Sequence, residues 1–138
     1  MADFTRFSYT SFSDAHGAVL TRPIIPITLG LARRDVSANA LLDTGADVNV
    51  LPYSLGVELG ANWNDEKPFT GISGNLAQSE ARAIILDATI ASFSPIRLLF
   101  IWVKTDIARV ILGQINFFQE FNVCFFASVE IFELQRKT

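Results

Sequence analysis

The chain has little from which to build a covalent or metal-bound frame. Its 138 residues include one Cys, one His and one Met. A single thiol excludes an internal disulfide, and one Cys with one His cannot complete a zinc site. Cys124 stands in the run Val123-Cys124-Phe125-Phe126 and reads as a buried apolar thiol. His16 precedes Gly17 with no Ser or Cys nucleophile motif beside it, so it reads as a surface residue. Basic charge is also scarce, with 11 Lys and Arg against 14 Asp and Glu and a net charge of −3. That balance argues against a nucleic-acid surface, which needs a basic patch or stripe. Long apolar runs are missing as well. The strongest, Leu98 to Val103, lies between Arg97 and Lys104, whereas a membrane-spanning helix needs about 20 residues. The N-terminus Met1-Ala2-Asp3-Phe4-Thr5-Arg6 lacks the apolar core of a secretory signal. These absences set the expectation of a soluble, cytoplasmic protein with no cofactor, metal, nucleic-acid or membrane partner.

What is present is apolar surface: half of the residues are hydrophobic and 12 are Phe. At this length the chain forms one domain with a real core and is too short for two ordinary lobes. The surplus either fills that core or marks an interface or groove. Residues 1–17 show no sustained period and read as an N-terminal arm, leaving 18–138 as the domain. From Val19 onward, short β-branched and aromatic runs alternate with turn signals, the texture of an all-β protein. Strands are expected over 18–30, 35–42, 47–51, 66–72, 76–90, 96–103, 108–112, 121–127 and 129–134. Pro23 and Pro26 point to an edge or an irregular strand, because each removes a ladder donor. Two stretches have helical character. Residues 52–60 contain two glycines and allow a turn or so. In 114–121, Ile115, Phe118 and Phe121 recur at helical spacing after Gly113. The segment 75–85 fits either state.

One stretch carries chemistry. Residues 40–51 place Asp43-Thr44-Gly45 at the end of one apolar run and the start of another. A strand ending in a tight turn is a rigid mount for a carboxylate. Gly45 lets backbone pass close by, and the Thr44 hydroxyl can brace the turn. As a bare tripeptide the signal is weak, with a chance occurrence on the order of a few per cent. An Asp capping an ordinary turn explains it equally well.

The surrounding segments sharpen that reading. Ala40 to Asp47 resembles the active-site signature of the retroviral-type aspartic proteases, the retropepsin-like family. Thr21-Arg22-Pro23-Ile24-Ile25 is similar to that family's first strand. Phe69-Thr70-Gly71-Ile72-Ser73-Gly74 is similar to its glycine-rich flap tip, and Val110 to Phe118 to the segment that leads into its short C-terminal helix. The resemblance spans about residues 19–126 and keeps the family's order. It implies a closed β-barrel or sandwich with a flap hairpin and one short helix in the C-terminal half, acting as a two-fold homodimer.

By the same resemblance Asp43 is the catalytic carboxylate, with Thr44 and Gly45 completing its loop. Ala46, Asp47 and Val48 would contact a bound peptide, and Gly71, Ile72, Ser73 and Gly74 would close over it. Ile111, Leu112, Gly113 and Gln114 would support the loop, and Arg22 would reach Asp47 of the opposite subunit. Gln114 departs from the Arg or Asn usual at that position. It cannot pair ionically with Asp47, although its amide can donate a hydrogen bond. The chain also continues past the family's usual end, so the terminal dimer sheet is open to a different construction.

Aspartic proteases need two carboxylates sharing one proton, and no second Asp-Thr-Gly or Asp-Ser-Gly occurs here. The expectation is a homodimeric aspartic endopeptidase acting on extended, hydrophobic polypeptide. The alternative is a non-catalytic module of the same fold that binds peptides or assembles.

Overall fold

The computed structural model describes residues 4–70 and 80–137. Alternation lays down its largest sheet. In β4 (Ile24–Leu31), Ile25, Ile27 and Leu29 are buried while Pro26 and Thr28 face outward, the two-residue period of a half-buried strand. β4 turns through Ala32 and Arg33 into β5 (Arg34–Leu42) and pairs with it antiparallel along its whole length.

Five more strands complete the sheet: β6 (Asn49–Leu51), β7 (Lys67–Pro68), β8 (Ala81–Thr89), β9 (Ile96–Val103) and β10 (Val110–Leu112). The order is β4-β5-β10-β6-β9-β8, with β7 also on β8, and a β4–β8 pairing closes six of the strands into a barrel. Closure removes exposed edges. Pro26 lies where β4 pairs with β5 alone, since β8 reaches only Thr28 to Gly30. An absent N–H is tolerated at such an edge. The long strand expected over 18–30 breaks at Pro23 into β3 (Val19–Arg22) and β4.

The Leu98–Val103 run lies in a strand with both faces covered. Phe100 and Trp102 join the main core, while Ile101 and Val103 join a second apolar cluster with Val50 and Ala81. A strand buried on both sides reads as a continuous apolar run. Among the described residues no helix is long and apolar enough to cross a membrane.

The N-terminal segment expected as an arm contains two strands. β1 (Thr5–Ser8) pairs with β12 (Ile131–Arg136), and β2 (Thr10–Ser13) pairs with β3. β11 (Phe121–Phe126) forms the far side of a three-stranded sheet ordered β1-β12-β11. A short turn at Ala127–Val129 and a left-handed Glu130 (φ 57°) connect β11 to β12. Cys124 is exposed, contrary to expectation. On an edge strand alternate residues face solvent, and Cys124 shares its face with Asn122 while Phe121 and Val123 turn to the core. His16 is exposed in the β2–β3 turn, where Asp14 Oδ1 accepts from the His16 and Ala18 amides.

The helices differ from expectation in length. α1 (Tyr53–Glu58) is the longer, and α2 (Phe117–Glu120) is a single turn. Gly56 weakens helical propensity but allows α1 to lie on the Trp102 indole, which also donates from Nε1 to Tyr53 O at 3.0 Å. A Cβ at Gly56 would overlap that ring, 2.6 Å from Cζ2. Trp102 is fully buried, stacks on Tyr53 and meets Trp63 edge-on, so it has no room to retreat. Gly56→Ala is therefore expected to cost about 2–3 kcal/mol, read as a lower midpoint in denaturant unfolding at unchanged slope.

Candidate active site

The Asp43 loop forms where two parallel strands end side by side. β5 and β10 pair in register, Leu41 with Ile111 and Leu42 with Leu112. The chain leaves both ends at once, and the two loops strap each other. Asp43 N donates to Leu112 O at 3.0 Å. Gln114 N donates to Ala46 O and Ile115 N to Asp47 O, each at 2.9 Å. The Gln114 side chain adds a fourth, from Nε2 to Thr44 O at 2.8 Å. These straps occupy 113–115 in extended pairing, and that is why α2 begins only after Asn116.

Within the loop, Gly45 N donates to Asp43 Oδ1 at 3.0 Å, and Ala46 N to Asp43 O at 3.1 Å. Both hold the carboxylate at the mouth of a tight turn. Asp43 is half-buried, Thr44, Gly45 and Asp47 are exposed, and Ala46 and Val48 are intermediate. Asp43 therefore stands on an open surface with one oxygen fixed by a backbone amide. Beside it lies the second apolar cluster, Val50, Ala81, Ile101 and Val103, flanked by half-buried Val48, Phe69, Ala83, Ala108 and Ile111.

Sequence reading had singled out Asp43 to Val48 and Ile111 to Gln114, and the fold brings these two segments together. Arg22 lies at the end of β3, exposed, with its guanidinium donating to Thr21 O at 2.9 Å. Gly71, Ile72, Ser73 and Gly74, expected at a flap tip, lie outside the described residues. A depression of about 300 Å³ on the barrel wall is lined by Pro26, Thr28, Ser37, Asn39 and Thr89 among others, and by no residue of the Asp43 loop. Among the described residues no three His, Cys, Asp or Glu side chains converge as a metal site would require.

Two residues escaped the sequence reading. Asn49 is fully buried, a polar side chain in the core. Its Oδ1 accepts from Gly113 N at 2.8 Å, and its Nδ2 donates to Leu99 O at 3.0 Å and to Asn116 Oδ1 at 3.2 Å. Asn116 in turn accepts from Leu99 N at 2.9 Å and donates to Arg97 O at 3.3 Å. The pair ties β9 to both loops beneath Asp43. The only trace in the sequence is an Asn interrupting apolar neighbours in Val48-Asn49-Val50-Leu51. Asn49→Ala strands the Gly113 amide and takes one donor each from Leu99 O and Asn116 Oδ1, and is expected to cost about 3 kcal/mol, lowering the thermal midpoint by on the order of 10 °C.

A closed barrel with a strapped Asp-Thr-Gly turn at the ends of two parallel strands is the retropepsin-like fold, and the resemblance to the retropepsin-like aspartic proteases holds. Solved structures place it more closely. The EIAV protease complexed with the inhibitor HBY-793 is 27% identical, over 67% of this chain and 82% of that one, at a TM-score of 0.54. A retropepsin-like aspartic protease from Rickettsia conorii matches 99% of this chain and 94% of its own, at 17% identity and a TM-score of 0.63. The retroviral protease-like domain of Ddi1 from Leishmania major covers 75% of this chain and 81% of that one, at 14% identity and a TM-score of 0.55. No protein-family model and no curated protein matches the chain.

Proposed function

We propose that this chain is a homodimeric aspartic endopeptidase in which Asp43 from each of two copies forms the catalytic pair. The observation that carries the proposal is the mounting of Asp43. Its carboxylate sits on a turn held by Leu112, Gln114 and Gly45, with half-buried Val48 and Ile111 on the same two segments. Two carboxylates brought face to face cannot both ionise and hold one proton between them. The ionised one takes a proton from a water, whose oxygen bonds to the peptide carbonyl carbon, while the protonated one hydrogen-bonds the carbonyl oxygen. Collapse of the tetrahedral intermediate breaks the C–N bond, and the amine leaves with a proton delivered by the pair.

In this reading Ala46, Asp47 and Val48 hold the peptide backbone, and Gly71 to Gly74 close over it. Arg22 reaches Asp47 of the other copy. Half-buried Val48, Phe69 and Ile111, backed by buried Val50 and Ile101, favour extended polypeptide with large apolar residues at the cleaved bond. The test is digestion of a peptide library from pH 3 to 7 by wild type and by Asp43→Asn. Equal digestion by both would sink the proposal. Peptide binding by wild type without cleavage at any pH would favour a non-catalytic module instead.

A further inference from the structure

Strand register lays out the floor of the second apolar cluster as rows of side chains. Ile111 of β10 faces Val50 of β6, Val50 faces Ile101 of β9, and Ile101 faces Ala83 of β8. Asp43 lies to one side of this row, where its amide meets Leu112 O. On the other side runs a second row, in which Val103 faces Ala81 and Ala81 O accepts from Phe69 N at 3.0 Å. Arg109 stands at the opposite end of that second row, two residues before Ile111. Val110 points into the main core, while Ala108 and Ile111 border the second cluster. The Arg109 side chain therefore leaves on the cluster's side, and it is exposed there.

Arg6, Arg97 and Arg136 each pair with a carboxylate, whereas Arg109 has no acidic partner among the described residues. Asp106, in the same loop, accepts from Ser54 N at 2.9 Å. The Arg109 guanidinium lies instead 5.4 Å from the ring centroid of Phe12, which β2 presents opposite Leu20 of β3. Stacking on an aromatic face fixes the guanidinium plane and leaves its N–H donors free for a planar acceptor. The chain as a whole is acidic, with a net charge of −3. An unpaired cation held on this wall is the local exception, and it complements a carboxylate that arrives from outside.

From Gly113, beside Asp43, back to Arg109 is a stretch of nearly extended chain about 13 Å long. An extended peptide covers that span in about four residues. We infer that Arg109 is a specificity-determining residue that receives a Glu or Asp side chain of the bound polypeptide. The preferred substrate is then an extended segment with large apolar residues at the cleaved bond and an acidic residue within about four positions of it. A guanidinium meets such a carboxylate through two parallel hydrogen bonds. Arg109 plays this part only if a peptide lies across Asp43, so the assignment rests on the endopeptidase reading.

Matched peptides test the assignment. Each has a Leu-Phe-Phe-Leu core and carries Glu, Gln or Lys at a single position, scanned outward on either side of the core. At about pH 6 a peptide Glu is ionised. Wild type should then show kcat/KM about tenfold higher for the best Glu peptide than for its Gln counterpart, the scale of a charge-assisted hydrogen bond. In Arg109→Gln that preference should vanish, and in Arg109→Glu it should pass to Lys. Equal cleavage of Glu and Gln peptides by wild type, or a Glu preference that survives in Arg109→Gln, overturns the inference. Binding of the same peptides, fluorescently labelled, to Asp43→Asn chains with and without Arg109→Gln gives a readout that needs no cleavage. Suppose wild type cuts nothing, yet binding favours Glu over Gln and Arg109→Gln abolishes the difference. Arg109 then stands as the acid-selecting residue of a peptide-binding module, and the endopeptidase proposal falls. Asp43-dependent cleavage with no such discrimination does the reverse. Neither cleavage nor binding overturns both.

Discussion

Replacing Asp43 by Asn is expected to lower kcat on peptide substrates by on the order of 10⁴-fold or more, the scale seen when one member of a catalytic unit is removed. The fold should survive, because Asn matches Asp in shape and its side-chain oxygen can still accept from Gly45 N, a contact of 3.0 Å. What is lost is the acid and base chemistry, since a primary amide neither takes a proton from water nor shares one across a dyad. Mixing gives a stricter version. If one active site needs Asp43 from two chains and subunits exchange freely, activity follows the square of the wild-type fraction. A ninefold excess of Asp43→Asn chain should then depress activity about tenfold beyond simple dilution. A linear loss on mixing, with each chain working alone, would refute the shared site while leaving Asp43 important.

The second large effect is expected at Gly113. A Cβ there would overlap Val48 O and lie 2.7 Å from Ala46 O and 2.8 Å from Val48 C. These are backbone atoms, so no side chain can swing aside. The Gly113 amide is also held by buried Asn49 at 2.8 Å. The loop 46–48 must move outward, and the straps from Gln114 to Ala46 and from Ile115 to Asp47 move with it. Gly113→Ala is expected to cost about 3 kcal/mol and to lower the thermal midpoint by on the order of 10 °C. Peptide cleavage should fall further than the loss of folded protein explains, because the Asp43 turn is levered away from its aligned position. A melting curve within a degree or two of wild type would overturn the packing account.

Local pattern carried the parts of the fold that local pattern can encode. The strand at 96–103 and the hairpin of β4 and β5 were readable because alternation and turn residues are properties of neighbours in sequence. β1 was not, because Thr5-Arg6-Phe7-Ser8 becomes a strand by pairing with residues near the opposite terminus. Cys124 was misjudged for a related reason. An apolar run shows that a strand forms but not that one side of it is the edge of a sheet. Gly56 was read as a helix breaker, when its missing side chain is what Trp102 packs against. Asn49 was overlooked because a short polar residue acquires meaning only once Gly113, Leu99 and Asn116 surround it.

The parallel pairing of β5 with β10 also bears on the order in which the molecule can be made. Asp43 lies in the first third of the chain, while its support arrives with Leu112 to Asn116 near the end. Such long-range contacts form late, after the entropy of closing the intervening loop has been met. During synthesis from the N-terminus, the β4–β5 hairpin can form early, but the turn that aims Asp43 has nothing to rest on until β10 emerges. A nascent or truncated chain ending before Leu112 would carry the Asp-Thr-Gly sequence without its geometry, and the timing of translation would itself keep the carboxylate unarmed until Leu112 to Asn116 have emerged.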